Sequence, residues 1–316
     1  MKCIGIALVI IWMHFDLSVW PEARSQREEN IIAILGRGAG GLFEEDIRTT
    51  NGAYSARRAA EALNVEGISY FQSRNFPFAM NVFEQALDLF RQADDSNGES
   101  MSLTQIGMCH EAVGKYQKAL DDLSLALQIQ RRAGDKQGEA RSLGEVGNIY
   151  RVWGYPEKSL HHLKAALALC NALQGCSEQA QILNQTGMTY ADLRKYAKAL
   201  DYFQAVLKLS RPSHNDIQMA TVLNNIGAVY NGMGRFSNAL PALVEANSLA
   251  RRAGDNELVA RNLSNIGFSH ARLRETGQAI ESYQEALAIF KRLGIKELEA
   301  DIVNRLNRLD SIARRQ

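Results

Sequence analysis

Two short clusters in this chain hold residue types that could do chemistry. Gly36-Arg-Gly38-Ala-Gly40-Gly41 satisfies G-x-G-x-x-G, a spacing with which backbone amides cradle a pyrophosphate, and Asn30 to Leu35 could pass for the preceding strand. A dinucleotide site also needs a complete strand–helix–strand unit and an acidic residue about 20 positions further on. Helical periodicity begins near Ser55 instead, so the segment reads as a flexible leader. His161-His162 is an adjacent pair, but neighbours on a helix point about 100° apart and cannot both face one metal. Both are expected to lean toward solvent, because Leu163 beside them is a core position. His110 and His270 stand where other copies of a repeat have tyrosine, and read as core histidines with local partners. No G-x-S-x-G, H-E-x-x-H or G-K-[ST] element occurs, so neither an enzyme nor a cofactor or metal is expected.

The four cysteines fit no redox or zinc spacing. Cys109 reads as a buried small hydrophobe, and Cys170 with Cys176 is the nearest pair that could bridge in an oxidising compartment. The first 25 residues suggest such a compartment: Lys2, an apolar run from Ile4 to Met13, then Ala23-Arg24-Ser25 at a cleavage position, as in a secretory signal peptide. The expectation is export to a periplasm or beyond, or anchoring at a membrane if the segment is retained. Elsewhere no run reaches the roughly 18 apolar residues of a span. The 316 residues carry 36 basic and 35 acidic side chains, so there is no overall positive surplus to hold nucleic acid.

What must position any functional residue is a repeat. Gly67, Gly107, Gly147, Gly187, Gly227 and Gly267 follow one another at steps of 40 residues. Three residues after each stand Tyr or His, and twelve after it a small residue, as at Ala79, Ser159 and Ala239. Sixteen after it comes a large one: Phe83, Leu123, Leu163, Phe203, Leu243 and Tyr283. Apolar positions recur at three- and four-residue intervals, so each repeat is expected to be a pair of antiparallel helices. A glycine inside a helix costs about 1 kcal/mol relative to alanine, and its sixfold recurrence implies close helix contact there. Gly114, Gly154 and Gly234 supply the turn inside three repeats, with Arg74, Arg194 and Arg274 at the same place in the others. Pro77 and Pro156 suit a helix start. Arg131-Arg132-Ala-Gly134-Asp135 and Arg251-Arg252-Ala-Gly254-Asp255 suit a helix end.

Segments such as Leu223-Asn-Asn-Ile-Gly227-Ala-Val-Tyr230 with Gly234-Arg-Phe236-Ser-Asn-Ala239-Leu, and Gly114-Lys-Tyr116-Gln-Lys-Ala119-Leu, resemble the tetratricopeptide repeats. The 40-residue length is similar to the long-helix type of kinesin light chains, Pins/LGN adaptors and bacterial Rap and MalT regulators. The resemblance implies an all-α, right-handed α-solenoid of six helix-turn-helix repeats over residues 55–298. A signal peptide at 1–25 and a leader at 26–54 precede it, and a C-terminal capping helix over 299–316 closes it.

The resemblance also implies that first helices line a concave face, with inner positions six, three and two residues before each repeated glycine and one, four and five after it. Asn and Gln are enriched there about 2.5-fold over the chain. Asparagine is a poor helix former, so its clustering calls for a reason. A side-chain amide both donates and accepts, and can hold a peptide backbone of any sequence. The candidate peptide-binding set is therefore Asn148, Arg151, Asn184, Gln185, Asn224, Asn225, Asn231, Arg261, Asn265 and Arg272, with the arginines selecting acidic groups. The competing reading is that these amides bond to the next repeat and stabilise the stack. The expected function is a non-catalytic adaptor for a protein or peptide segment in the groove. The alternative is a sensor whose superhelix changes pitch when a small peptide or signal molecule binds. Asn184-Gln-Thr186 and Asn262-Leu-Ser264 are glycosylation sequons, and a glycan on Asn184 would obstruct that groove.

Overall fold

A computed structural model describes residues 52–313, apart from 174 and 213. The signal segment, the leader up to residue 51 and the Gly36–Gly41 cluster lie outside the described residues. Within them the chain is thirteen α-helices with no strand: α1 (Gly52–Gln72), α2 (Phe76–Gln92), α3 (Ser96–Ala112), α4 (Tyr116–Ala133), α5 (Lys136–Val152), α6 (Pro156–Ala172), α7 (Gln179–Asp192), α8 (Tyr196–Ser210), α9 (Asp216–Gly232), α10 (Phe236–Ala253), α11 (Asn256–Arg272), α12 (Thr276–Leu293) and α13 (Lys296–Ala313). Helices α1 to α12 form six antiparallel pairs stacked as an α-solenoid, and α13 packs on the last pair. Helix α1 begins at Gly52, three residues ahead of the repeat frame. Helix α13 starts at Lys296 because Gly294, left-handed at φ +70°, ends α12 just before it.

The repeated glycine works by close approach. A Cβ on Gly187 would lie 2.6 Å from the Phe203 ring, and one on Gly147 would lie 2.6 Å from Leu163 Cγ. Any side chain there would push the second helix off the first. The small residues twelve and nineteen positions on, among them Ala119, Ala126, Ala239 and Ala246, are fully buried in the same seams.

The two ends of the hairpins are made differently. The turn inside each repeat requires a left-handed residue, and Arg74, Arg194 and Arg274 adopt φ of +59°, +55° and +64° where the other copies use glycine. Each arginine there costs about 1 kcal/mol. The turn between repeats also has a left-handed residue, at Asp94, Gly134, His214 and Gly254, and adds a side-chain cap after it. Asp95, Asp135, Asn215 and Asp255 accept from backbone N–H groups three residues on, at 2.8–3.0 Å. At the one boundary where the frame places Gly175, a Cys170–Cys176 disulfide ties the end of α6 to the approach to α7.

Successive first helices pack against one another, whereas second helices have no comparable contact, so the first helices lie inside the curve. The winding brings distant repeats together. Arg74, in the first repeat, donates through Nη2 to Glu257 Oε1 in the sixth at 2.8 Å. Among the described residues no helix is long and apolar enough to cross a membrane.

Candidate functional site: the concave face

The inner face is a set of polar ties between successive first helices. Asn225 donates to Asn184 Oδ1 at 2.9 Å, and Asn265 donates to Asn224 Oδ1 at 2.8 Å. These two bonds join α7 to α9 and α9 to α11 by residues 41 apart, one repeat plus one position. All four amides are half-buried; Asn184 also donates to Met188 Sδ at 3.7 Å, and each amide group keeps further donors or lone pairs.

Two members of the candidate set are not surface groups. Asn231 is buried, donating to the Asn265 carbonyl at 3.3 Å and accepting from Ser269 Oγ at 2.8 Å. Gln185 is also buried, its Oε1 close to Gly144, whose missing side chain lets α7 approach α5. Both therefore differ from the expected direct peptide contacts: they lie between helices, and Asn231 ties α9 to α11. The spacing rule names the face of a helix but not how deep the next helix presses into it.

The remaining candidates fall into three places. Asn148 and Arg151 belong to a charged network: Asn148 donates to Glu111 at 2.7 Å, and Arg151 donates to Asn148 Oδ1 at 3.0 Å and pairs with Asp192 at 3.3 Å. Arg261 is bonded to Glu257 and lines, with Asn224 and Asn265, a recess of about 190 Å³ closed by Asp301 and Arg305 of α13. Arg272 is exposed at the end of α11, its guanidinium 5.2 Å from the Phe236 ring. A second recess of about 290 Å³ lies beside Asn225, with Met188, Ala191, Tyr196, Ala228 and Gly232 in its wall.

Arg305 and Asp301 were not among the sequence candidates, although a signal for them exists. Counting back from Asn307, which stands at the next glycine place, they fall two and six residues before it, at inner positions of the frame.

The electrostatics divide along the face. Glu145 is buried beside α7 and bonded by Gln181 at 2.7 Å. Burial, and then the nearby Glu111 charge, push its pKa up to about 7. Burial also raises Glu111, with Arg151 opposing. Glu178 is held below the usual range by two bonds from Arg141 and one from Ser177, which outweigh its burial.

The histidines also find places. His110 pairs with Asp122 at 2.6 Å and His270 with Glu275. His162 is half-buried with its ring stacked on Tyr150 at 5.4 Å, which corrects the expectation that both His161 and His162 lean to solvent. Burial pushes the Cys109 thiol up to about 12, leaving it unreactive at neutral pH. Asn262 of the second sequon is fully buried and closed to a glycan in the folded chain. Among the described residues no group of three His, Cys, Asp or Glu side chains could hold a metal ion.

This geometry, an inward-facing row of first helices built on a 40-residue frame, is that of a helical repeat scaffold. The chain belongs to the tetratricopeptide repeat family: family models described as tetratricopeptide repeat match residues 98–172, 180–212 and 218–292. Among solved structures it is similar to a Rap protein complexed with Competence and Sporulation Factor, at 14% identity over 92% of each chain with TM-score 0.61. It is also similar to the apo form of RapI, at 19% identity over 83% of this chain and 94% of that one, TM-score 0.56. BtubC from P. vanneervenii matches at 19% identity over 80% and 92%, TM-score 0.54. At these identities the likeness is one of fold. No curated protein matches the sequence.

Proposed function

We propose that this protein is a non-catalytic adaptor that holds an extended peptide or protein segment in its concave groove, across α7, α9, α11 and α13. The observation that carries this reading is the pair of amide ties Asn184–Asn225 and Asn224–Asn265. They present half-buried donors and acceptors in a row along the groove, as a peptide backbone requires, with recesses at Asn225 and at Arg261–Arg305 to take side chains. The Rap protein of similar fold, solved in complex with Competence and Sporulation Factor, adds weight to a ligand held by such a scaffold. The Cys170–Cys176 disulfide supports an exported protein, released or held at a membrane by its first segment.

The test is to pan a random peptide library against the protein, then measure the selected peptides on wild type and on Asn225→Ala/Asn265→Ala. Binding weakened about tenfold or more with unchanged helical content supports the groove. Equal binding by both folded proteins places the ligand elsewhere.

The sensor reading has one observation of its own, the Arg74–Glu257 contact that joins the first and sixth repeats. A ligand that favours the closed winding would strengthen that contact, and one that favours an open winding would break it. Small-angle scattering with and without a selected peptide decides, since an unchanged profile counts against a change of pitch.

A further inference from the structure

The chain-wide balance of 36 basic against 35 acidic residues hides a local excess. The five-residue stretches that begin at the left-handed turn residue of each repeat, 74–78, 114–118, 154–158, 194–198, 234–238 and 274–278, hold nine Lys or Arg and two Asp or Glu. Because every repeat is a hairpin of the same sense, these turns form one continuous edge of the solenoid. Lys115 and Lys118 in the second repeat, Lys158 in the third, and Arg194, Lys195 and Lys198 in the fourth are all exposed. None lies within ion-pair distance of a carboxylate among the described residues, and the same holds for Arg235 in the fifth. On the opposite edge several cations are paired internally: Arg131 with Glu139 at 2.7 Å, Arg252 with Asp216 at 2.9 Å, and Arg91 with Glu99 at 2.9 Å.

An apolar shelf lies among these cations. Trp153 is 37% exposed and Tyr155 and Val152 are each 45% exposed, with Lys158 Nζ 4.9 Å from the Tyr155 ring centre, and Val113 before the turn of the second repeat is 43% exposed. Tyr116 of the second repeat meets Trp153 of the third at 5.8 Å, so the shelf bridges two turns. We infer that this edge, over the second to fourth repeats, is a docking surface for an acidic polypeptide segment that also carries an apolar side chain. The cations would meet its carboxylates and the Val113–Trp153–Tyr155 shelf its apolar group.

Two other anionic partners fit less well. A base stacks on an open aromatic face, but Trp153 already has Tyr116 against it and the edge of Tyr155 at 5.4 Å. A lipid surface is flat, whereas this edge winds so far that Arg74 at its start meets the opposite edge at Glu257. A chain segment can follow such a ramp. Arg74 also shows the kind of group the edge accepts, since it is the one turn cation of this set that finds a carboxylate among the described residues.

The test uses the full chain with Trp12→Phe and Trp20→Phe, which leaves Trp153 as the sole tryptophan. The probes are a peptide of Glu-Glu-Leu triplets, its Lys-Lys-Leu counterpart, oligothymidylate, and phosphatidylserine vesicles. The expected result is a saturable change in Trp153 emission with the acidic peptide alone, weakening as salt rises. Lys115→Glu/Lys118→Glu/Lys158→Glu should raise its Kd about tenfold or more, while Asn225→Ala/Asn265→Ala leaves it unchanged. An affinity indifferent to the charge reversal overturns the proposal, as does a Trp153 response to oligothymidylate or vesicles but not to the peptide. Loss of peptide binding in the amide variant alone would also overturn it while sparing the groove reading.

Discussion

The two edges of this solenoid are built from the same repeat and use charge in opposite ways. At the edge between repeats, Asp95, Asp135, Asn215 and Asp255 cap the first helices, and arginines in the last turns of the second helices pair with neighbouring acids. At the edge inside repeats, the left-handed turn leads into the second helix with no side-chain cap, and among the described residues the lysines beside it pair with no carboxylate, Lys158 and Lys198 lying over the Tyr155 and Tyr190 rings. The lesson is that position in the hairpin, not residue type, decides whether a charge serves the fold. A polar group that caps a helix or fills a buried bond is committed to stability. A lysine beside a turn already satisfied by backbone bonds is available for something else.

The most direct way to break this contrast is to remove the polar groups of each edge in turn. Replacing the four capping residues at 95, 135, 215 and 255 by alanine should lower stability by about 4 kcal/mol in total, at about 1 kcal/mol per cap. Replacing Lys115, Lys118, Lys158, Lys195 and Lys198 by glutamine should change it by no more than about 0.5 kcal/mol per site. Chemical denaturation of the two multiple variants measures both. Comparable losses would mean the turn lysines hold the fold after all.

A second test separates the paired edge from the inner face by pH. Glu145 is buried with a pKa raised from 4.5 to about 7, so the folded state binds its proton more tightly than the unfolded chain does. The stability this provides is complete below about pH 4.5 and is lost as pH rises through 7. Glu139 and Glu178 have the opposite sign. Their bonds from Arg131 and Lys136, and from Arg141 and Ser177, hold them below 4.5, so their contribution is lost as pH falls below that value. Glu145→Gln should therefore be more stable than wild type at pH 8 and nearly equal to it at pH 4. Denaturant midpoints that fall in parallel across this range would show that Glu145 ionises freely.

Much of this organisation can be read from residue spacing. The frame of glycines and large residues sixteen positions apart identifies real contacts, as Gly147 with Leu163 and Gly187 with Phe203 make plain, because a close helix crossing leaves one permitted residue type at a fixed interval. The left-handed turn positions follow from the alternation of glycine and arginine at one place in the frame. Depth is harder to read. Asn225 and Asn231 both count as inner positions, yet one is half-buried and the other buried, since that depends on the rotation of α11 against α9. The Arg74–Glu257 contact was out of reach, because a small angular step per repeat must accumulate over 183 residues before it closes.

That contact allows the finest test, since Arg74, Arg194 and Arg274 occupy one place in three repeats and all have positive φ. Glycine at any of them relieves about 1 kcal/mol of backbone strain. At 194 and 274 nothing offsets that gain, so Arg194→Gly and Arg274→Gly should be more stable by roughly that amount with unchanged shape. At 74 the substitution also removes a partly exposed ion pair, and such pairs contribute about 0–1 kcal/mol. Arg74→Gly should therefore be close to wild type in stability and differ in winding, with a larger radius of gyration in small-angle scattering at low salt. High salt should bring wild type toward the variant, because a pair with both partners open to water is screened. An Arg74→Gly profile that overlays wild type at every salt concentration would mean that helix packing alone sets the pitch, and that the first and sixth repeats meet without holding one another.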